Sequence, residues 1–341
     1  MAWASRPAPR TVGAMSADLD AAARDSGFSG VIRLDRPGSP AFVRAYGQAD
    51  RAHGIPLTVE HRCGVASIAK GFTALAVGSL IDRGLLRWGD RVRPVLGDDL
   101  PLVDDRVTVE QLLSHTSGIG DYLDESEGEI TDYVLELPVH RLDRTEAYLP
   151  LLDGRPQVAE PGAGFRYNNG GFVLLALIAE RVSGTPFHDL VAERVFRPAG
   201  MTGSGYPRTD ALPGDVARGY LERKGLRSNV LHLPVRGSGD GGAVTTVADL
   251  AAFWPALLAG RIVSPGTLAT LIEPVSEVPD EGMRYGRGFW LGAESDTVLL
   301  EGYDAGVSGR TWHDPVGGVT GTVLATWSDG AWPVLRVLPW D

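Results

Sequence analysis

Lysine is almost missing from this chain, cysteine occurs once, and no long uninterrupted apolar run exists. A single cysteine, Cys63, cannot close an internal disulfide, so there is no covalent framework of the kind small secreted domains depend on. No window reaches the ~18 unbroken apolar residues of a transmembrane helix. The nearest, residues 63–81, is broken by Lys70, Gly71 and Gly78. Residues 1–20 carry arginines and prolines but no apolar core of ~7 to 15 residues. No signal peptide is therefore read, and the expectation is a cytoplasmic protein, or a secreted one if a leader has been removed. Basic stripes are also lacking, and a net charge of −11 argues against partners with phosphate backbones or anionic membranes: no nucleic acid, no membrane insertion.

The lysine scarcity is the informative one. Of 32 basic residues only Lys70 and Lys224 are lysines. Codon usage in a GC-rich genome accounts for the scarcity itself; where the survivors lie is what carries information. Lys70 follows Ser67 by three residues, and the stretch 63–81 holds no other charge. An arginine cannot surrender its proton in a protein, whereas a desolvated lysine can. Two readings of the pair stay open on this segment alone. Ser67 is a nucleophile beside an amine base, or it is a helix N-cap followed by a lysine that snorkels to water.

Apolar residues at 43% and charged residues at 22% are ordinary globular values, and 341 residues suffice for one large domain or two packed lobes. Residues 14–24 fit an amphipathic helix, and 30–34 and 41–45 fit a hairpin. Helices are expected over 67–83, ending at Gly84, and after Thr108, where Thr-x-x-Gln forms a capping box. Another is expected over 169–182 with Gly184 as its stop; its body, 172–179, is apolar on every side and should be buried. Thr185-Pro186 reads as N-cap and first helical residue of a helix to Phe196, and Thr246 caps one that Pro255 should kink. Strands are expected at 288–291, 297–300, 307–313 and 319–327, with a last helix or tail near 331–338. Strands thus lie at both chain ends and helices in the middle. That distribution predicts a single α/β (α+β) domain, with one lobe from about 14–62 plus 235–341 and a mainly helical lobe from about 63–234 inserted between. The acidic cluster Asp121, Asp124, Glu125, Glu127, Glu129 and Asp132 reads as a solvated face.

If Ser67 opens a helix, its hydroxyl and the Lys70 amine share one face, where the helix dipole and desolvation both depress the amine's pKa. A lysine lowered to about 7 or 8 is a usable general base. Tyr167-Asn168-Asn169, just before the apolar helix, offers a phenol that can ionise near a cationic amine and a carboxamide that can hold a carbonyl while bonding the lysine. Tyr-x-Asn by itself is a weak pattern, and a turn tyrosine with an asparagine cap is its plain alternative.

Together these segments resemble the serine β-lactamase and penicillin-binding protein superfamily, in particular its class C-like branch of β-lactamases, D-aminopeptidases, DD-peptidases and carboxylesterases. The resemblance runs from about residue 30 to 338. It rests on Cys63-Gly64-Val65-Ala66-Ser67-Ile68-Ala69-Lys70-Gly71, on the block 109–118 with Leu112-Leu113-Ser114-His115-Thr116-Ser117-Gly118, and on Pro161-Gly162-Ala163-Gly164-Phe165-Arg166-Tyr167-Asn168-Asn169. It implies an antiparallel sheet flanked by helices and an acyl-enzyme mechanism without cofactor or metal. In that scheme Ser67 attacks a carbonyl, Lys70 and Tyr167 move protons, and Asn169 positions the acyl group. His115 reads as a structural histidine bonding nearby backbone.

The family's third motif, on the strand walling the site, usually reads His-x-Gly, Lys-Thr-Gly or Trp-x-Gly. The matching stretch here is Gly302-Tyr303-Asp304-Ala305-Gly306-Val307-Ser308-Gly309, with Tyr303 at the motif's first place and Ala305 where glycine is expected. This departure removes the cation that grips a substrate carboxylate, for which Arg310 is the candidate replacement. It favours an esterase, amidase or acyltransferase over a β-lactamase.

Competing signatures are weak. There is no Gly-x-Ser-x-Gly elbow, no His-Glu-x-x-His and no cysteine pair. Residues 237–242 match Gly-x-Gly-x-x-Gly, but without a βαβ unit around them they read as a flexible loop entering the Thr246 helix, which the resemblance implies lies near the site and lines the pocket. The expectation is a serine hydrolase acting on a small-molecule or peptide acyl substrate. Acyl transfer to a non-water acceptor and a non-turnover acyl sensor are the alternatives, and the oligomeric state is not legible.

Overall fold

A computed structural model describes residues 12–125 and 128–338; Glu127 of the acidic cluster lies outside them. Eight antiparallel strands form the central sheet: β1 (Gly30–Asp35), β2 (Phe42–Tyr46), β3 (Ser276–Val278), β4 (Met283–Tyr285), β5 (Trp290–Gly292), β6 (Val298–Asp304), β7 (Val307–Asp314) and β8 (Val319–Ala325). Their spatial order is β2-β1-β8-β7-β6-β5-β4-β3. Strands from the two ends of the chain pair near one edge of this sheet, where Gly30 faces Ala325 and Asp35 faces Thr320. The fold is the mixed, antiparallel architecture expected.

Period-two alternation gives the sheet two different faces. Leu299, Trp312, Val323 and Ile32 point to one side, where they pack with Leu19 and Ala23 of α1 (Val12–Ser26) and Val334 and Leu335 of α7 (Trp332–Leu335). Leu300 and Leu324 point to the other, into the larger core built on α2 (Ala69–Asp82). Every residue of α2 from Ala69 to Leu80 is buried. Phe72 sits at its centre, edge-on to Phe196 at 5.1 Å and Phe253 at 5.7 Å.

Around α2 stand α3 (Val109–Leu113), α4 (Asn169–Ser183), α5 (Val247–Leu258) and α6 (Pro265–Leu271). The capping box on α3 is complete, with Gln111 N–H donating to Thr108 Oγ1 and Thr108 N–H to the Gln111 side chain. α4 is buried from Asn169 to Ala179 and stops at Gly184, whose φ of 66° is left-handed. α5 begins on the Thr246 cap and carries Pro255 within it. No helix among the described residues is long and apolar enough to cross a membrane.

Three elements depart from expectation. Ser67 does not open α2 but lies inside a preceding 3₁₀ turn, Ala66–Ile68, and makes no cap bond. Thr185 is not a cap either: Pro186 occupies that place, and the helix Phe187–Val191 widens into a π-turn over Ala192–Phe196. β3, β4 and α6 were not foreseen, because three-residue strands are too short to show a period.

Phe72 fills the junction between α2, α5 and the helical half, so Phe72→Ala should lower unfolding free energy by about 3–5 kcal/mol. Urea denaturation checks this; a loss under about 1 kcal/mol would mean the junction collapses around the gap.

Candidate active site

Ser67 is placed by a strained backbone and a close strand. Ala66, immediately before it, has φ of 46°, a left-handed conformation that costs an L-residue roughly 1–2 kcal/mol. β6 presses on this turn at Gly302, where a Cβ would lie 2.2 Å from the Val65 carbonyl oxygen and 2.9 Å from the Ser67 nitrogen. Only glycine permits that approach. Below the turn a short ribbon pairs Cys63–Gly64 with Val244–Thr245, and Val65 N–H donates to the Ala243 carbonyl.

In the first turn of α2, the buried Lys70 amine has three partners. Nζ lies 2.8 Å from Ser67 Oγ, 2.7 Å from Asn169 Oδ1 and 2.9 Å from the Asp240 main-chain oxygen. Two of these acceptors, the carboxamide and the carbonyl, have no hydrogen to give; the hydroxyl can donate as well as accept. The cradle therefore fits both forms of the amine. An ammonium donates to all three, whereas a neutral amine donates to the two carbonyl oxygens and turns its lone pair to the Ser67 O–H. Burial pushes the Lys70 pKa below the ordinary lysine range, and the carboxylates of Asp240, Glu125, Asp121 and Asp304 push back.

Tyr167 arrives from the loop before α4, with its phenol in hydrogen-bond reach of Ser67. Lys70 Nζ stands over the ring face, 4.9 Å from its centroid. Burial, reinforced by Glu125, drives the phenol's pKa well above 10, so the resting group is a neutral O–H and not the ionised phenol the sequence suggested. The ring is clamped between His115, 4.4 Å away, and Trp290, stacked at 6.4 Å. His115 Nδ1 accepts the Asn168 backbone N–H at 3.1 Å, and burial holds the imidazole well below its usual pKa. It is a neutral brace, bonding backbone.

Asn169 has a different set of partners from the one expected of a substrate donor. Its carboxamide oxygen accepts from Lys70, and its Nδ2 donates to the Leu123 carbonyl and to Glu125 Oε1, each at 2.9 Å. Asp121 accepts the Asn169 and Gly170 N–H groups at 2.6 and 2.8 Å, fixing the first turn of α4, and burial lifts its pKa to about 6. Part of the acidic cluster is thus turned inward; Asp124 pairs with Arg166. From sequence, Asp121 and Glu125 read as part of a solvated face, Asp240 only as a member of the loop 237–242 and Gly302 only as the start of the third-motif stretch, so none of the four had a role at the site. The glycine-rich loop 237–242 was the available signal, since it delivers both the Asp240 carbonyl to Lys70 and the Gly239 carbonyl to Thr73 Oγ1 at 2.7 Å.

The third motif is split by strand parity. Gly302 and Asp304 face the Ser67 turn, while Glu301 and Tyr303 face α7. The Tyr303 ring packs on Trp332 at 5.9 Å, and its phenol bonds Asp329. Arg310, opposite Glu301 in the register, is buried on that same far face and ion-paired to Glu301. It is therefore no replacement for the missing cation in the site. Ala305 is fully buried, with its N–H donating to Asp304 Oδ1 at 2.7 Å, and Gly306 N–H donates to Ser328 Oγ at 2.9 Å.

A cavity opens over Ser67. Ile130, Leu135, Leu212, Leu233 and Val307 give it apolar walls, and Tyr122, Tyr133 and Tyr148 line it with rings. Its charged lining consists of Glu125, Asp240 and Asp304, with no lysine, arginine or histidine among the described lining residues.

Comparison with known proteins places this geometry. The family described as "Beta-lactamase" matches residues 20–336. The chain is 28% identical to the putative penicillin-binding protein PbpX of Bacillus subtilis over 292 residues, covering 82% of this chain and 67% of that one. It is 33% identical to Esterase EstB of Burkholderia gladioli over 216 residues, 58% of this chain and 53% of the relative. The chain thus spans between half and two thirds of these relatives' length. A crystal structure of a penicillin-binding protein from Bacillus halodurans superposes with a TM-score of 0.87 at 35% identity, covering 93% of this chain and 98% of that one.

Burial, with Glu125 and Asp240 adding to it, lifts the Asp304 pKa to about 7 against an ordinary 3.8. The ionised form is disfavoured on folding, so the penalty is absent below about pH 3, grows as pH rises through the unfolded value of 3.8, and is complete above about 7. Thermal melts of Asp304→Asn and wild type should therefore coincide at about pH 3, with the variant gaining relative stability up to neutrality. A wild type that gains instead would place a stabilising partner on the carboxylate.

Proposed function

The chain belongs to the β-lactamase family, and on that premise we propose that it is a serine hydrolase that cleaves an ester or amide through an acyl intermediate on Ser67. The observation that carries this reading is the three-acceptor cradle of Lys70, which leaves the neutral amine's lone pair aimed at the Ser67 hydroxyl.

As Ser67 Oγ bonds to the carbonyl carbon, its proton passes to Lys70, and the carbonyl electron pair moves onto oxygen. Collapse of that adduct expels the alcohol or amine. The leaving group takes its proton from the Lys70–Tyr167 pair, the neutral phenol beside Ser67 serving as a relay. Water then repeats the sequence on the acyl-enzyme and returns the proton to Ser67. Asn169 acts through Lys70, holding the amine while Glu125 and Leu123 hold its carboxamide. Esterase EstB among the relatives supports ester chemistry. The absence of a cationic side chain among the described lining residues argues against gripping the carboxylate of a β-lactam or a peptide C-terminus. The apolar walls favour transfer to an organic alcohol or amine as a second reading, and a non-turnover sensor would use the same acylation without the release step.

With a p-nitrophenyl ester of a short acid, Ser67→Ala should lose roughly 10³-fold or more in turnover. Undiminished turnover would remove Ser67 as nucleophile. Intact-protein mass spectrometry should show a transient adduct of the acyl mass; an adduct stable for hours would favour the sensor. Free-acid yield that falls when an alcohol is added would favour transfer.

A further inference from the structure

We propose that the portion of the substrate this cavity selects is an unbranched, uncharged apolar chain, as in an ester of a medium-chain fatty acid or of a medium-chain alcohol, lying against residues 130–135 and 229–234. The proposal deepens the acyl-Ser67 reading and rests on it for the point where the chain begins.

The polar atoms of the cavity wall are already engaged with protein. The Tyr133 hydroxyl donates to the His232 carbonyl at 2.9 Å, the Tyr148 hydroxyl to the Arg236 carbonyl at 2.7 Å, and the Tyr122 hydroxyl to Asp240 Oδ2. Asn229 gives its Nδ2 to the Ala305 carbonyl at 2.9 Å, and Asn169 gives its own to Leu123 and Glu125. The three tyrosines therefore present ring carbon to a ligand, beside the aliphatic carbon of Ile130, Leu135, Leu212 and Leu233. A polar substituent entering here loses its water and finds few free donors, whereas an apolar chain gains with every methylene it buries.

Two further features agree. The bond from Tyr133 to His232 joins segments 130–135 and 229–234, and those segments carry Val134 and Leu231, 88% and 77% exposed, the two most exposed large apolar side chains among the described residues. Apolar surface thus continues from the wall to the outside on both segments. The lining carboxyls disfavour a chain that ends in a carboxylate, and no cation among the described lining residues offsets them. Burial raises the pKa of Asp240 and that of Asp304, the latter to about 7, so at neutral pH these two present less charge to a neutral chain than their number implies.

Two ester series test this, each kept below the solubility limit of its members. The p-nitrophenyl esters from acetate to octanoate share one leaving group and read the acyl chain; ethyl to octyl acetate, followed by acid release at constant pH, read the alcohol chain. In one series kcat/KM should rise by up to about fourfold per methylene, roughly a hundredfold from shortest to longest, and which series rises says which side of the ester the chain occupies. Leu135→Asn and, separately, Leu233→Asn should cut that long-to-short ratio by roughly fivefold or more. Val316→Asn, at an exposed apolar residue beyond the end of β7 remote from the cavity, should leave it unchanged. Two flat series, or a preference that neither leucine variant reduces, overturns the chain. Calorimetry with Ser67→Ala protein reads recognition without turnover: N-methyloctanamide or N-octylacetamide should bind roughly tenfold or more tightly than N-methylacetamide. That preference with no ester cleaved by wild-type protein counts against the acyl-Ser67 reading and leaves the chain standing, whereas Ser67-dependent turnover that is flat in both series does the reverse.

Discussion

A buried amine with no carboxylate bonded directly to it is the constraint around which this molecule is arranged. Taking an ammonium out of water costs several kcal/mol unless neutral acceptors or distant charges replace the solvent. Lys70 is supplied with both, and its three acceptors come from three different parts of the chain: the 3₁₀ turn at Ser67, the first residue of α4, and the loop 237–242. Each of those parts must be fixed for the amine to be satisfied. Asp121 fixes the start of α4, Thr73 fixes the loop through Gly239, and Gly302 of β6 fixes the turn. The site is thus a meeting point of the sheet, the central helix and the helical half, and loss of any one contact leaves an unsolvated charge.

How far the sequence foretold this depends on the range of the interactions involved. Local rules read well: the Thr108 capping box and the all-apolar body of α4 with its Gly184 stop are set by neighbours in sequence or by a simple period. The meeting of the two chain ends in one sheet is long-range and was read from where the strand patterns lie along the chain. Ser67, Lys70, Tyr167 and Asn169 were legible because a lysine in a charge-free stretch and a Tyr-x-Asn before an apolar helix match a known pattern. Tertiary contacts wrote the rest. The left-handed Ala66 and the 3₁₀ turn exist because β6 abuts Val65 and Ser67, and nothing within 63–71 announces that. Strand parity was the other failure. Matching letters to a motif assigned Tyr303 and Arg310 to the site, but alternation along β6 and β7 turns the Tyr303 ring and the Arg310 side chain onto the α7 face, so that Tyr303 borders the cavity with its ring on Trp332, and leaves Gly302 and Asp304 toward Ser67.

The protonation states follow from burial more than from proximity. A phenol beside an ammonium suggests ionisation, yet burial, aided by Glu125, keeps Tyr167 protonated, and the amine lies over its ring face rather than in line with its oxygen. That division of labour is chemically sensible. Of the two groups, the one whose pKa is lowered is the base, and the one whose pKa is raised is a donor.

The same carboxylates that give the cavity its negative lining also act on the base. Asp240, Glu125 and Asp304 each stabilise the ammonium form of Lys70, opposing the burial that would neutralise it. The basicity of Lys70 is therefore a balance: burial favours the neutral amine the proton transfer needs, and the carboxylates favour the ammonium. Neutralising any one of those carboxylates shifts the balance toward the base, and strand parity, which turns Asp304 to the Ser67 side of β6, is part of what sets it.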